Sequence, residues 1–433
     1  MTPQSHFFVI APIAAGREAE LRGRLDSMNA LPGHARPDNP LVPFAAFDTI
    51  HFARFAIVDD QTLDDTTAYG GPRVSHRPGL AFAGEIDGGL DTFFAQAAER
   101  AAPGLTAIFG CCEGFTPGGD LAAWLTQHHV PAAASYVNWV GRTVLQVRQD
   151  AALYAAVQQH LAREWSTLAA QPPHEVHVRL RQLVWDDVAA GRLTLTPEAP
   201  TPLGWRLRTL AHRVGMPIVL LLASPVLVPL AVVGALQLRR AEQTDPELCP
   251  RTPPPHVARL AAVEDFDVTN SFTAMGSLKP GLARRWATVA LLWAINFAAR
   301  HVFTKGRLAR VRTIHFARWV FLDGKTRVIF LSNYDGSLES YMDDFINKVG
   351  FGLNLSFCHG IGYPRTTWLI GGGSSDERKF KEYLRRHQIP TQVWYRGYPG
   401  LTAVDLERHA LVRRGIEAAQ LGGLQAREWV ELL

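Results

Sequence analysis

Thr49-Ile50-His51-Phe52-Ala53-Arg54-Phe55 recurs as Thr313-Ile314-His315-Phe316-Ala317-Arg318-Trp319, and Asp59 recurs at the same offset as Asp323. Self-similarity of this kind decides the architecture before any single motif does, because duplicated segments fold alike. Upstream, Ile13-Ala14-Ala15-Gly16 matches Leu278-Lys279-Pro280-Gly281. Downstream, Ile86-Asp87-Gly88-Gly89-Leu90-Asp91 matches Tyr334-Asp335-Gly336-Ser337-Leu338-Glu339, and Phe109 with Gly114-Phe115 matches Phe357 with Gly362-Tyr363. A last block pairs Leu125, His128, Val130-Pro131, Tyr136 and Gly141 with Leu384, His387, Ile389-Pro390, Tyr395 and Gly400. The blocks keep one order, with gaps only between them.

Each copy then reads the same way. Phe7 to Ile13 is strand-like; Gly16 to Asn29 has helical spacing at Leu21, Leu25 and Met28; the block around His51 and the stretch from Leu80 to Ile86 are strand-like. Asp87-Gly88 turns the chain into a helix through Phe93, Phe94 and Ala97, Thr106 to Cys111 reads as a further strand, and a helix at Leu121 to His129 and a short strand near Tyr136 follow. The expected order is β-α-β-β-α-β, so the expected fold class is α+β: two ferredoxin-like repeats packed as a pseudo-two-fold pair that cover each other's open sheet faces. The expected boundaries are repeat one at 1–165, a connector at 166–262 and repeat two at 263–433.

The chain has 433 residues, 47% apolar and 19% charged, which suits folded domains with sizeable cores. A net charge of +4 is too mild to imply nucleic acid unless the cations cluster. The cysteines, Cys111, Cys112, Cys249 and Cys358, have no metal-site spacing and read as thiols of a reducing compartment. The apolar start is broken at Pro12 and lacks a basic leader, so no secretory signal is expected.

The connector carries Met216 to Leu238 without a charge, which at about 1.5 Å per residue reaches roughly 34 Å, the thickness of a bilayer core. Pro217, Pro225 and Pro229 interrupt it, and arginines flank both ends. A single crossing would part the two repeats, so a bent, re-entrant or interfacial element is expected, with both repeats on the cytoplasmic side. In repeat two the first helix is apolar through Trp286, Leu291, Leu292 and Trp293, and Lys279, Arg284, Arg285, Arg300, Lys305, Arg307, Arg310 and Arg312 surround it without an acid. That combination attracts an anionic membrane or lipid rather than nucleic acid. Trp286, Leu291, Leu292, Trp293, Arg284, Arg285, Arg307 and Arg310 are the expected membrane-binding set.

His51 and His315 are the leading candidates for chemistry, since equivalent strands would bring two imidazoles to a shared cavity, where they serve as bases, as haem ligands or as structural hydrogen-bonding groups. Strand alternation sets His51 with Ala53 and Phe55 and puts Phe52 and Arg54 on the opposite face. His359 belongs to the second copy alone. Asp87 and Asp335 read as caps for the helices that follow them.

The duplicated order resembles the dimeric α+β barrel superfamily and its fused members, dye-decolourising peroxidases and chlorite-dismutase-like haem proteins. Gly84-Glu85-Ile86-Asp87-Gly88 matches the G-x-x-D-G string of the former. The resemblance implies haem as cofactor, Asp87 as the distal acid and His315 or His359 as the iron ligand. The candidate catalytic set is therefore His51, His315, Arg54, Arg318 and Asp87. The expected function is a membrane-associated, haem-dependent peroxidase-like oxidoreductase; the alternative is a non-catalytic lipid-binding or scaffold protein.

Overall fold

The computed structural model describes residues 1–72, 76–304 and 306–433; Lys305, a member of the expected basic belt, lies outside the described residues. The chain is a mixed α+β structure built on antiparallel sheets. The principal strands are β1 (Gln4–Pro12), β2 (Ile50–Val58), β3 (Gly79–Asp87), β4 (Ala134–Val137), β5 (Thr269–Ser277), β6 (Ile314–Leu322), β7 (Arg327–Asp335) and β8 (Thr391–Arg396). The principal helices are α1 (Glu18–Asp26), α2 (Leu90–Arg100), α3 (Ala102–Phe109), α4 (Leu121–Gln127), α5 (Val144–Arg163), α6 (Pro173–Ala189), α7 (Leu203–Thr244), α8 (Leu282–His301), α9 (Leu338–Phe357), α10 (Glu377–His387), α11 (Ala403–Glu417) and α12 (Gly423–Val430).

One sheet runs β1-β3-β2-β8 and continues into a short ribbon, Asn29–Leu31 with His34–Ala35; the other runs β4-β6-β7-β5. Each sheet therefore takes its fourth strand from the other half of the chain. The strand containing Tyr136 pairs Ala134 with Trp319 and Tyr136 with Ala317, while β8 pairs Trp394 with Arg54. Before crossing over, both exchanged segments touch their own half: the Ile10 amide donates to the His128 carbonyl, and the Ile389 amide to that of Thr273. The pairings thus run in a closed circuit, with corners near residues 128–134 and 388–391.

Thr106 to Cys111, expected as a strand, is the end of α3 and the turn after it. Pro103 sits in the first turn, where its missing amide costs nothing, and Leu105, Ile108 and Phe109 follow at helical spacing into the core of the first half. That core lies outside the circuit, between the first sheet and α1 to α4, with Phe7, Phe55, Phe82 and Phe93 at its centre. Each such ring contributes about 1.5–3 kcal/mol on burial. A separate helical layer forms where α5 and α6 pack on α11 and α12 through Leu153, Leu180, Val412, Ile416 and Trp429.

Among the described residues one helix, α7, is long and apolar enough to cross a membrane, and its apolar stretch is exposed throughout. Leu221 and Leu222 are 73% and 76% exposed. Both ends of α7 are nevertheless tied to α8. His212 Nδ1 lies 2.8 Å from His301 Nε2 at one end, and at the other Asp245 accepts from Arg284 at 2.6 Å. The contour between those ties on α7 is roughly 50 Å, whereas α8 spans roughly 26 Å between its own two, so the exposed stretch of α7 is far longer than the part of α8 it is tied to. Pro217, Pro225 and Pro229 lie inside that stretch, where each removes a helix hydrogen bond and favours bending.

Candidate functional site

The strand block that recurs in the sequence, Thr49–Phe55 and Thr313–Trp319, also builds the polar centre of the fold. Opposite Ile86 and Glu85, β2 carries one residue too many, and the resulting bulge admits His51 beside Phe52; β6 carries the same irregularity at His315. Plain alternation fails here. His51, Phe52 and Arg54 all turn into the space between the sheets, while Ala53 and Phe55 remain in the outer core. The expectation that His and Arg occupy opposite faces is corrected by that one inserted residue.

Arg54 and Arg318 are each 1% exposed and reach across to the opposite sheet. Arg54 donates to the carbonyls of Phe272 (2.8 Å) and Ser332 (3.1 Å), to Thr273 Oγ1 and to Asn333 Oδ1. Arg318 donates to the carbonyls of Phe7 (2.9 Å) and Gly84 (2.8 Å). Phe272 pairs with Ser332 and Phe7 with Gly84, so the two guanidinium groups read equivalent positions. Charge is less symmetric. Glu85, 3.3 Å from Arg318 and hydrogen-bonded by Asn333 Nδ2, has Asn333 as its counterpart, leaving one carboxylate between two arginines. Burial pushes Arg54 down to about 9, with Glu85 opposing that shift, and drives His6 down to about 3, helped by Arg318 and His51.

His51 Nε2 lies 3.0 Å from Asp87 Oδ1 and its Nδ1 lies 3.1 Å from the Tyr398 hydroxyl; His315 Nε2 lies 2.7 Å from Asp335 Oδ1. The aspartates do not cap the helices that follow them. Asp87 accepts from the Val144 amide at 2.8 Å and Asp335 from the Ala403 amide at 2.7 Å, at the starts of α5 and α11. Thr143 and Thr402 complete capping boxes at those two ends. Each histidine–aspartate pair therefore ties a bulged strand to a distant helix. Tyr398, Glu85, Asn333, Thr143 and Thr402 are the members that sequence reasoning missed; the paired threonines, two residues after the matched Gly141 and Gly400, were the available signal.

Such a pair has the make-up of an oriented base, but the space around it is filled. An eight-stranded closure leaves an interior just wide enough for side chains. Here Phe316 lies 5.2 Å from the His51 ring, Phe52 lies 5.4 Å from that of His315, and Phe52 stacks on Trp394 at 5.2 Å. Haem, expected between the halves, does not fit this interior: both imidazoles are held by carboxylates and their faces are covered by rings. His359 is elsewhere. It is buried beside Lys279 and Arg284, which add to burial in holding it down to about 4, and its Nε2 has no partner among the described residues.

The expected membrane-binding set divides. Trp286 is 59% exposed, and Arg307 and Arg310 are exposed as well; Arg285 and Trp293 are half-buried. Arg284 and Leu292 are corrections: Arg284 is buried in its ion pair with Asp245, shared with Lys279 at 3.2 Å, and Leu292 is 1% exposed in the core of the second half. On a helix lying against a sheet, only one stripe can face outward.

That helix also covers an apolar cavity. A cavity of about 300 Å³ lies between α8, α9 and the outer face of the second sheet, lined by Leu291, Ile295, Trp319, Phe330, Phe345 and Phe357 among others, with almost no polar surface. The break in α9 at Val349, where the backbone leaves helical geometry (φ −145°), falls on its wall. In the first half the layer between the helices and the sheet is packed with Leu21, Leu25, Phe93 and Phe109.

The chain matches no family model, no curated protein and no solved structure.

Proposed function

We propose that the chain is a pair of ferredoxin-like βαββαβ repeats closed into one barrel, and that it is a non-catalytic, membrane-associated protein that holds an apolar ligand. The observation that carries this reading is the apolar cavity under α8, on the helix to which both ends of the exposed α7 are tied. A pocket of this size and lining suits a hydrocarbon group. Exposed leucines and valines along α7 suit a bilayer interface, since contiguous apolar patches of this kind mark membrane or partner contacts. With both ends of α7 on α8, the two repeats stay on one side, and free cysteines favour the cytoplasmic one.

Full-length protein purified without added lipid should release an acyl-chain or isoprenoid molecule into organic extracts, read by mass spectrometry, and Ala294→Trp should remove it. An empty wild-type extract would sink this reading. The peroxidase-like alternative needs a haem seat that the packed interior does not offer; a Soret band after haem-supplemented expression would restore it.

A further inference from the structure

We infer that the ligand of this cavity is an anionic amphiphile, a single acyl chain with a carboxylate or phosphate at its end; this rests on the apolar-ligand reading above. The argument is the placement of charge around an otherwise charge-free cavity. Leu308 and Ala309 line it, and the residues on either side of them, Arg307 and Arg310, are exposed. Ala298 lines it too, and exposed Arg300 follows two positions later at the same end of α8. None of the three arginines forms an ion pair or side-chain hydrogen bond among the described residues, whereas their neighbour Arg312 is taken by Glu407 at 2.6 Å. No Asp or Glu occurs between Lys279 and Asp323.

The contact of His212 with His301 brings the start of α7 to this end, and with it exposed Arg206, Arg208 and Arg213, which likewise have no ion pair among the described residues. Unpaired guanidinium groups at the edge of an apolar space recognise carboxylate or phosphate by forked hydrogen bonds, and gain most where water is scarce. About 150 Å³ of apolar cavity accepts a benzene ring, so this volume takes about twelve carbons. The arginines then set the depth at which the chain stops.

The test is binding of dodecanoate, dodecanol and dodecanoyl lysophosphatidylglycerol to the full chain in uncharged phosphatidylcholine nanodiscs, followed by native mass spectrometry. Dodecanoate, lysophosphatidylglycerol or both should bind at least tenfold more tightly than dodecanol, and which of the two does so identifies a free fatty acid or a lipid headgroup as the source. Combined Arg300→Gln, Arg307→Gln and Arg310→Gln should abolish that preference while dodecanol binding stays unchanged; Ala294→Trp should abolish all binding. Equal affinity for dodecanol and both anions, or a preference that survives the triple substitution, overturns the inference but leaves the apolar-ligand reading standing. Absence of binding by all three overturns both.

Discussion

Arg54 donates to the carbonyl of Ser332, and Arg318 donates to the carbonyl of Gly84, the residue that occupies Ser332's position in the other half. Each half therefore reads the backbone of its counterpart with the same side chain. These buried guanidinium groups hold the two sheets in one register, because a slip of one residue would strand several donors at once.

Arg318→Met should cost about 3–5 kcal/mol, since it leaves Glu85 buried without its cation. Pairing that change with Glu85→Leu should recover much of the loss. Chemical denaturation of the two variants measures both; equal losses would mean that the ion pair is not what the single substitution breaks.

Asp335→Ala should expose the start of α11 as well as free His315, and Asp87→Ala should do the same for α5 and His51. Loss of a cap costs about 1 kcal/mol. Hydrogen exchange should accelerate at Ala403 or Val144, respectively, far more than at the turn beside each aspartate. Acceleration confined to that turn would return the carboxylates to the local capping role.

Acid should destabilise the fold through its buried neutral histidines. His359 is held at about 4 and His6 at about 3, against 6.5 for the free side chain. Because both folded values are depressed, the unfolded chain binds the extra protons. Stability is therefore complete above about pH 6.5 and falls as pH drops toward 4, by on the order of 3 kcal/mol for His359. His359→Gln should flatten this slope in a thermal-melt series, and an unchanged slope would place the titration elsewhere.

Leu222→Asp should detach the protein from membranes and spare the body. The side chain is 76% exposed and lies in the apolar stretch of α7, where a carboxylate costs about 2.5–3.5 kcal/mol if the segment is in hydrocarbon. Vesicle flotation should fall roughly a hundredfold in partition coefficient. The thermal midpoint should stay put. Undiminished flotation would show that α7 is not the membrane-contacting element.

The recurrence of the block around His51 at His315 is legible from sequence because matched residues need no three-dimensional information, and the apolar stretch of α7 is legible because its composition is extreme. The bulge at His51 is not: a single inserted residue changes which side chains share a face, yet alters no pattern that alternation detects. Strand exchange is invisible for a related reason. The composition of Ala134–Val137 is equally suited to either sheet, and only the path of residues 128–134 sends it to β6. Apolar Leu291 and Leu292 look interchangeable along the chain, but one lines the cavity and the other is core, a difference set by the helix's rotation on its sheet.

The exchange of β4 and β8 bears on how the molecule is made. While the first half is leaving the ribosome, Ile50–Val58 has no neighbour on one side, and its partner, Thr391–Arg396, follows only after β3 to β7. An apolar edge kept waiting that long invites pairing with another nascent copy. Halves expressed separately would each carry the same open seam, so fragments should associate through it rather than stay monomeric, and assisted folding becomes part of the cost of this topology.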